Sequence, residues 1–570
     1  MKDESGNVTE SQTEIASILN KVFASLGLYK GPVKMCTFPD NLNIPEFNFR
    51  PITRRELYEV IDNLDKNKSS GPRNIPAWAI KEGKMAIGVH LQFTINECIK
   101  TNVFPSELKK AYVTPIYKKG NKQKGENYRP ISVTPMFAKI FERLLLNQLS
   151  EYTEKHKIIN QKQFGFQREK SCIDAVLLVV EKIVETLDNN EHCVSIFLDL
   201  AKAFNSICHE ILLRKLESYC FSNNSISLLQ SFLSDRKQSV KLNSVYSSWE
   251  TLNHGVPQGT VLGPFIFLLY VNDFAQNITS SNNIVQFADD TSVLCIDQNP
   301  NSLQPQIKQV LAETEDYLEK NKMTLNRDKT ELLYFSKEIQ EFSDLEFRGE
   351  KIKPLSDCRY LGIQIDKNLN FKKQLNKCLS KMACGIRSIY LIRHQIPLYA
   401  RIMLFKSLVL SHLTYAGIFF QNLNEKDISR LNKQINWGIK VCYMRRKFDR
   451  ARDLLIKSKI LPAELYITQI SLMKFWTDIN RTKNNTIHGL FNIQRNERTK
   501  KIKTYKSKTK LGDKSLIKKS IQKWNKLSLD IKTTKTSHSF RKKLKEFLHK
   551  SHNAIPLKHK IGVFKKYFYV

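Results

Sequence analysis

Three acidic side chains lie in stretches where a carboxylate is costly unless something meets it. Asp289 and Asp290 interrupt the run Ile284 to Ile296, IVQFADDTSVLCI. Its apolar halves read as two short buried strands, with the acids at the hinge of a β-hairpin. Adjacent like charges at such a place repel, and a raised pKa or a bound cation relieves them. The competing reading is a plain solvated turn, since Asp is a common turn residue. Asp199 follows the apolar strand pattern Cys193 to Leu198 and precedes a helical pattern from Lys202 to Leu216. It is either a helix N-cap or a carboxylate held at a strand end for a cation. Carboxylates from two strand ends meeting at one point suit two-metal phosphoryl transfer. In that chemistry Asp199 and Asp289 bridge two ions, and Asp290 completes the site of the ion that activates an attacking 3′-hydroxyl. Hard oxygen ligands favour Mg²⁺, with Mn²⁺ the alternative.

Other segments must bring substrate to such a site. In VTPIYKKGNKQKGENYRPIS, two short strands flank a basic loop, so that Lys118, Lys119 and Arg129 could face a triphosphate without being buried. Most Lys-rich loops are merely solvated. The loop GVPQGTVLGP leads into an apolar helix from Pro264, and its glycines permit close backbone approach to a ligand. Lys329 stands at the mouth of a strand in LNRDKTELLYF, and CRYLGIQID reads as one strand kinked at Gly362. Phe204, five residues after Asp199, reads by default as a core side chain. Of Phe164 and Phe166, at least one is expected to pack into the core rather than stack on a base. Thr53 and Glu56 form a capping box at the start of a helix, and Phe371 to about Trp476 is helical throughout.

The 570 residues carry 91 Lys and Arg against 55 Asp and Glu, a formal charge of +36 that points to a polyanion, with nucleic acid the first candidate. Residues 481–570 alone hold 26 Lys and Arg against 4 Asp and Glu. No window approaches a membrane-spanning run, so no membrane partner is expected. Eleven cysteines without a C-x-x-C pair, and twelve histidines without a zinc-type cluster, predict reduced thiols and no zinc site.

FLDLAKAF, GVPQGTVLGP, FADD, the LN-x-x-KT stretch and YLG, in this order, resemble the palm motifs of a reverse transcriptase from a non-LTR, LINE-type retrotransposon, most similar to the jockey-like group. PIYKKG, NYRPIS and QFGF resemble its finger segments. The resemblance implies an α+β right-hand polymerase with fingers, an antiparallel palm sheet and a thumb. The expected divisions are 1–97, linker and N-terminal finger extension; 98–365, fingers and palm; 366–480, a helical thumb; and 481–570, a basic helical region that binds nucleic acid. It implies that Asp199, Asp289 and Asp290 are metal ligands and that Phe204 is a steric gate against the ribose 2′-hydroxyl. Gln258 and Gly259 would line the nucleotide, Lys119 and Arg129, with Lys118 a competitor, would grip the triphosphate, and Lys329 would donate to the leaving pyrophosphate. Tyr360, Leu361 and Gly362 would brace the primer end.

The implied activity is RNA-directed DNA synthesis from a target DNA primer on the element's RNA with dNTPs, in the nucleus, the chain being also cytoplasmic as a ribonucleoprotein. A catalytically inactive RNA-binding relic is the alternative. Relatives usually begin with a nicking endonuclease, and nothing before Pro51 reads as one, so either this copy lacks its own nickase and an endonuclease acts in trans, or the sequence is a fragment or truncated gene. Asn205 stands where an Asp is common, and Arg73-Asn74 where Asp-Gly is frequent.

Overall fold

Six consecutive buried residues, Cys193 to Leu198, form most of the strand His192–Ala201, and the acid-bearing segments are arranged from it. The computed structural model describes residues 1–2, 8–29, 31, 34, 43–72, 75–278, 283–326, 329–335, 345–347, 350–351, 354–480, 496, 498–504 and 506–554. Arg73-Asn74 lies outside them. The fold mixes helices with largely antiparallel sheets. It divides into two compact units, one of Met1–Arg168, Leu198–Thr291 and Lys308–Thr330, the other of Glu169–Phe197, Ser292–Ile307 and Glu331–Val570.

In the first unit the strand Lys110–Tyr117 pairs antiparallel with Tyr128–Val133, in register from Tyr112↔Val133 to Tyr117↔Tyr128. Its other edge runs parallel to Arg236–Leu242, which folds back on Val245–Tyr246 and Glu250–Leu252. The amphipathic helix Gln12–Ser25 lays Ala16, Leu19 and Phe23 on Val113 and Val240 of this sheet. The helix Arg54–Asp62 starts on the expected Thr53–Glu56 capping box. Phe164 is fully buried, whereas Phe166 is 53% exposed.

A buried polar knot holds this unit together. Lys215 Nζ donates to Asp273 Oδ1 at 2.7 Å and to the Tyr270 carbonyl at 2.7 Å, and the Tyr317 hydroxyl donates to the same carboxylate at 2.6 Å. Both charged side chains are almost wholly out of solvent. Such a pair is tolerated because the ammonium is met by three acceptors and the shared carboxylate oxygen by two donors.

In the second unit, residues 194–197 pair antiparallel with the strand Glu331–Tyr334, which runs parallel to Pro354–Leu355. This unit also holds the helices Cys172–Asp188, Lys372–Ile392, Glu425–Cys442 and Ala463–Asn480, and the helix Glu425–Cys442 buries the apolar face that its sequence periodicity marks, Ile428, Leu431, Ile435, Ile439 and Cys442. The basic C-terminal region folds over its described part. Trp524 of the helix Leu516–Asn525 is fully buried, with ring centroids 5.7 Å from Phe475 and 5.9 Å from Phe540.

Three expectations need correction. The pattern Lys202 to Leu216 is not one helix. Lys202 takes a left-handed conformation (φ 52°), residues Ala203–Ser206 form a 3-10 turn, and the α-helix is His209–Ser218. The break is set at long range, because the Gly255 and Val256 N–H groups donate to the Ile207 and Phe204 carbonyls, both at 2.8 Å. Cys358 to Asp366 is a hairpin, Asp357–Tyr360 against Ile363–Asp366, turned by Leu361 and Gly362, both at positive φ. The helical run Leu398–Asn422 is long and apolar enough to span a membrane, with a mean hydropathy of 1.5. Its apolar side is used within the unit: Phe405, Val409, Leu410, Leu413 and Ala416 are buried, against the helices Lys372–Ile392 and Glu425–Cys442.

Candidate active site

Asp199 lies inside the strand His192–Ala201, two residues before its end, so it is not a helix N-cap. Asp289 occupies the turn after the strand Ile284–Phe287, and Asp290 opens the strand Asp290–Asp297. The hinge position read from the sequence is thus where the turn falls. The Leu200 N–H reaches the Asp289 carbonyl at 3.4 Å, which ties the two acid-bearing segments together.

The turn is built by Gln163, the first residue of the QFGF stretch, to which the sequence assigned no role of its own. Gln163 Oε1 accepts from the Ala288 N–H at 2.9 Å and from the Gly165 N–H at 2.8 Å, and the Phe164 N–H donates to the Gln286 carbonyl at 2.7 Å. Ala288 is held at φ 56°, a conformation costly for a side-chain-bearing residue and therefore in need of outside support. An added Cβ on Gly165 would collide with the Ala288 N–H, so the QFGF segment needs its glycine there. The one hint in the sequence is that QFGF is a compact aromatic-glycine motif before a helix.

The three carboxyls share one electrostatic environment. Burial, then Asp289, then Asp199 push Asp290 up to about 7, and the Asp290 and Asp199 side chains are within hydrogen-bonding reach. Two carboxyls meet in this way only when one holds a proton or a cation stands between them. Asp289 is also raised, by burial first and by Asp199. One cation is already present: Lys329 Nζ is ion-paired with Asp199 Oδ2, which also accepts from Asn326 Nδ2 at 3.1 Å. Asn326, the Asn of LN-x-x-K, additionally donates its N–H to the Asp199 carbonyl at 2.8 Å. Among the described residues no three His, Cys, Asp or Glu side chains are gathered tightly enough to close around an ion in this arrangement, in which Lys329 engages Asp199. The donor set, three carboxylates without sulfur or imidazole, fits a hard divalent cation.

The basic residues divide. Lys118 feels Lys329, Arg129 and Asp199, and burial and the neighbouring cations hold its pKa below the ordinary value. Its N–H donates to the Asn127 carbonyl at 2.9 Å, and Arg129 pairs across the strands with Ile116. Lys118 and Lys119 are both exposed at the start of the loop.

A second group surrounds the glycine-rich turn. The Gln258 carbonyl accepts from the Ser132 N–H at 2.7 Å, and Gln258 Nε2 donates to Asn205 Oδ1 at 2.8 Å. Asn205, at the position where an Asp is common, therefore serves as an acceptor that orients Gln258. Gly259 sits at φ 120°, where an added Cβ would collide with the Ser132 carbonyl oxygen. Glu142, wholly buried and raised in pKa by that burial, accepts the Val261 and Leu262 N–H groups at 2.6 and 3.0 Å and so anchors the start of the helix Gly263–Tyr270. Phe204 is half-buried, its ring 5.1 Å from Phe267 and 6.1 Å from Phe166.

Tyr360, Leu361 and Gly362 belong to the second unit. The Tyr360 ring is buried 5.1 Å from Phe197, and the Leu361 carbonyl accepts from the Tyr415 hydroxyl at 2.6 Å.

Residues 116–365 match the family described as reverse transcriptase (RNA-dependent DNA polymerase). Among curated proteins, the chain is 27% identical over 377 residues to the probable RNA-directed DNA polymerase from transposon BS of Drosophila melanogaster, covering 63% of this chain and 41% of that protein. It is 27% identical over 380 residues to the RNA-directed DNA polymerase from mobile element jockey of Drosophila funebris, covering 64% and 41%. A third relative, the probable RNA-directed DNA polymerase from transposon X-element of Drosophila melanogaster, is 25% identical over 381 residues, covering 66% and 42%. The matched stretch thus spans less than half the length of these relatives.

Proposed function

We propose, from the reverse transcriptase domain that the chain carries over residues 116–365, that this protein is an RNA-directed DNA polymerase of a non-LTR retrotransposon. It extends a DNA 3′-hydroxyl on an RNA template by nucleotidyl transfer. The observation that carries the proposal is the convergence of Asp199, Asp289 and Asp290 beside Lys329, close enough that Asp199 helps to raise both of its neighbours.

Reverse transcriptases work with divalent metal. In this chain Asp199, Asp289 and Asp290 would hold the ions, most simply Mg²⁺, which would supply charge neutralisation at the attacking and leaving oxygens. The protein's own residues do the rest. Lys118 and Arg129, each within electrostatic range of the acid group, would take the triphosphate, with Lys119 beside Lys118 at the start of the loop. Lys329 neutralises Asp199 and would donate a proton toward the leaving pyrophosphate. Gln258, oriented by Asn205, and Gly259, pressed against Ser132, shape the floor under the incoming nucleotide. Phe204, braced by Phe267, presents a ring edge that would crowd a ribose 2′-hydroxyl. The turn of Tyr360, Leu361 and Gly362 is assigned to the primer end, the helices from Lys372 onward to a thumb, and the basic C-terminal region to RNA phosphates. Work on a nicked chromosomal target places the protein in the nucleus, with the nick made by an endonuclease in trans or by a further part of a longer polypeptide.

The test is incorporation of dNTPs by the purified chain on a primed RNA template with Mg²⁺ or Mn²⁺. Template-directed products support the reading. A protein that binds the template-primer but adds no nucleotide with either metal refutes it.

A further inference from the structure

In the second unit, four cationic side chains from three separate segments line one cavity of about 400 Å³. Lys406 begins a π-helical turn, Lys459 follows the helix Arg452–Lys457, and Arg541 and Lys545 lie one turn apart on the helix Ser537–Ala554. No acidic residue lines this cavity, and none of the four cations takes part in an ion pair among the described residues. Burial, and after it Lys406, Lys459 and Arg541, hold the Lys545 pKa down, which places the four charges within reach of one another. Gathering uncompensated cations costs free energy, and a polyanion relieves it.

The remaining wall has a different chemistry. Leu410, Ile470 and the ring of Tyr466 give an apolar and aromatic surface. The Tyr466 hydroxyl is engaged by Thr414 Oγ1 at 2.9 Å, which fixes the ring. Gln469 adds an amide able to both donate and accept. An aromatic face beside a cluster of cations is how single strands are held, with bases stacked and phosphates paired. The volume falls in the range of small-molecule sites, about 300–1,000 Å³, and admits one nucleotide.

We propose that this cavity is a nucleic-acid site in its own right, which takes a nucleotide of a single-stranded chain with its base against Tyr466 and its phosphates among Lys406, Lys459, Arg541 and Lys545. For the class of ligand it rests on the polymerase reading. Its test is a binding measurement without turnover, so failure of the two readings registers in different assays.

A labelled single-stranded oligoribonucleotide is titrated onto the full chain over a series of salt concentrations. Lys459→Gln/Lys545→Gln, both at positions that solvent reaches, should weaken binding and flatten the salt slope by about 1.4, near 0.7 for each phosphate that is no longer neutralised. Tyr466→Leu should reduce photocrosslinking of a 4-thiouridine-containing oligonucleotide to the 463–480 segment while the slope stays as in the parent. Parental affinity and slope in the lysine variant overturn the proposal. So does displacement of the oligonucleotide by inorganic phosphate at equal phosphate concentration, which makes the cavity a small-anion site.

Discussion

The ammonium of Lys329 is paired with the carboxylate of Asp199, and Asn326, three residues before Lys329, holds the same oxygen from the other side. A cation supplied by the chain itself thus rests on the acid group. Replacing Lys329 by Met should lower nucleotide incorporation by about 10²–10⁴-fold, the usual worth of a positioned proton donor. Lys329→Arg, which keeps the charge but holds its proton, should recover little of the loss. Recovery of most of the rate by Arg would make Lys329 a positioning group only.

Gly259 stands at φ 120° with its Cα against the Ser132 carbonyl. Gly259→Ala meets both a disfavoured backbone conformation and a collision with another strand, and should cost at least about 2 kcal/mol of stability. A denaturant midpoint like that of the parent would show that the turn can move aside.

Phe204→Ala removes the ring braced by Phe267. Discrimination against ribonucleotides, measured as the ratio of kcat/KM for dNTP and rNTP, should fall by on the order of 10–100-fold. An unchanged ratio would assign Phe204 to core packing alone.

Lys215→Met leaves Asp273 and the Tyr317 hydroxyl in a dry interior without their cation. Breaking such a pair costs about 3–5 kcal/mol. A thermal midpoint close to that of the parent would mean that Asp273 takes up a proton at little cost.

Glu181 ties the basic C-terminal region to the helix Cys172–Asp188. Its carboxyl accepts from the Ser515 hydroxyl at 2.6 Å and from the Leu516 and Ile517 N–H groups at 2.6 and 3.2 Å. Burial, opposed by these donors, pushes its pKa up to about 7 from the ordinary 4.5. The folded state therefore holds the proton more tightly than the unfolded one. Its contribution is fully present below about pH 4.5 and declines as the pH rises toward 7. Protection factors in the segment 515–525, the intrinsic exchange rate at each pH divided by the observed one, should fall across that interval and level off above it. Glu181→Gln should flatten the dependence, and a dependence that survives in the variant would point to another group.

The parts of this architecture that rest on short-range patterning could be read from the sequence. The hinge at Asp289 and Asp290, the capping box at Thr53 and the buried face of the helix Glu425–Cys442 all follow from side-chain period and local polarity. What could not be read depends on contacts across many residues. The break at Lys202 is fixed by Gly255 and Val256, some fifty positions away, and no glycine or proline marks it. Gln163 acts through backbone N–H groups more than a hundred residues downstream. The hairpin at Leu361 leaves a trace in the sequence, a change of phase from apolar 358 and 360 to apolar 363 and 365 across Gly362, but a kinked strand produces the same shift. Lys215, on a helix of ordinary amphipathic pattern, gives no sign that its charge is buried.

Asp289 stands at the centre of the proposed chemistry, and single-nucleotide addition to a primer annealed on RNA, measured for the parent chain and for Asp289→Ala with Mg²⁺ present, tests it most directly. The parent should add a complementary deoxynucleotide, and the variant, folded and still binding template-primer, should be slower by several orders of magnitude. Equal rates of addition by the two proteins would contradict a metal-holding role for the Asp289 carboxyl, and no addition by either would leave the chain a nucleic-acid-binding protein without turnover.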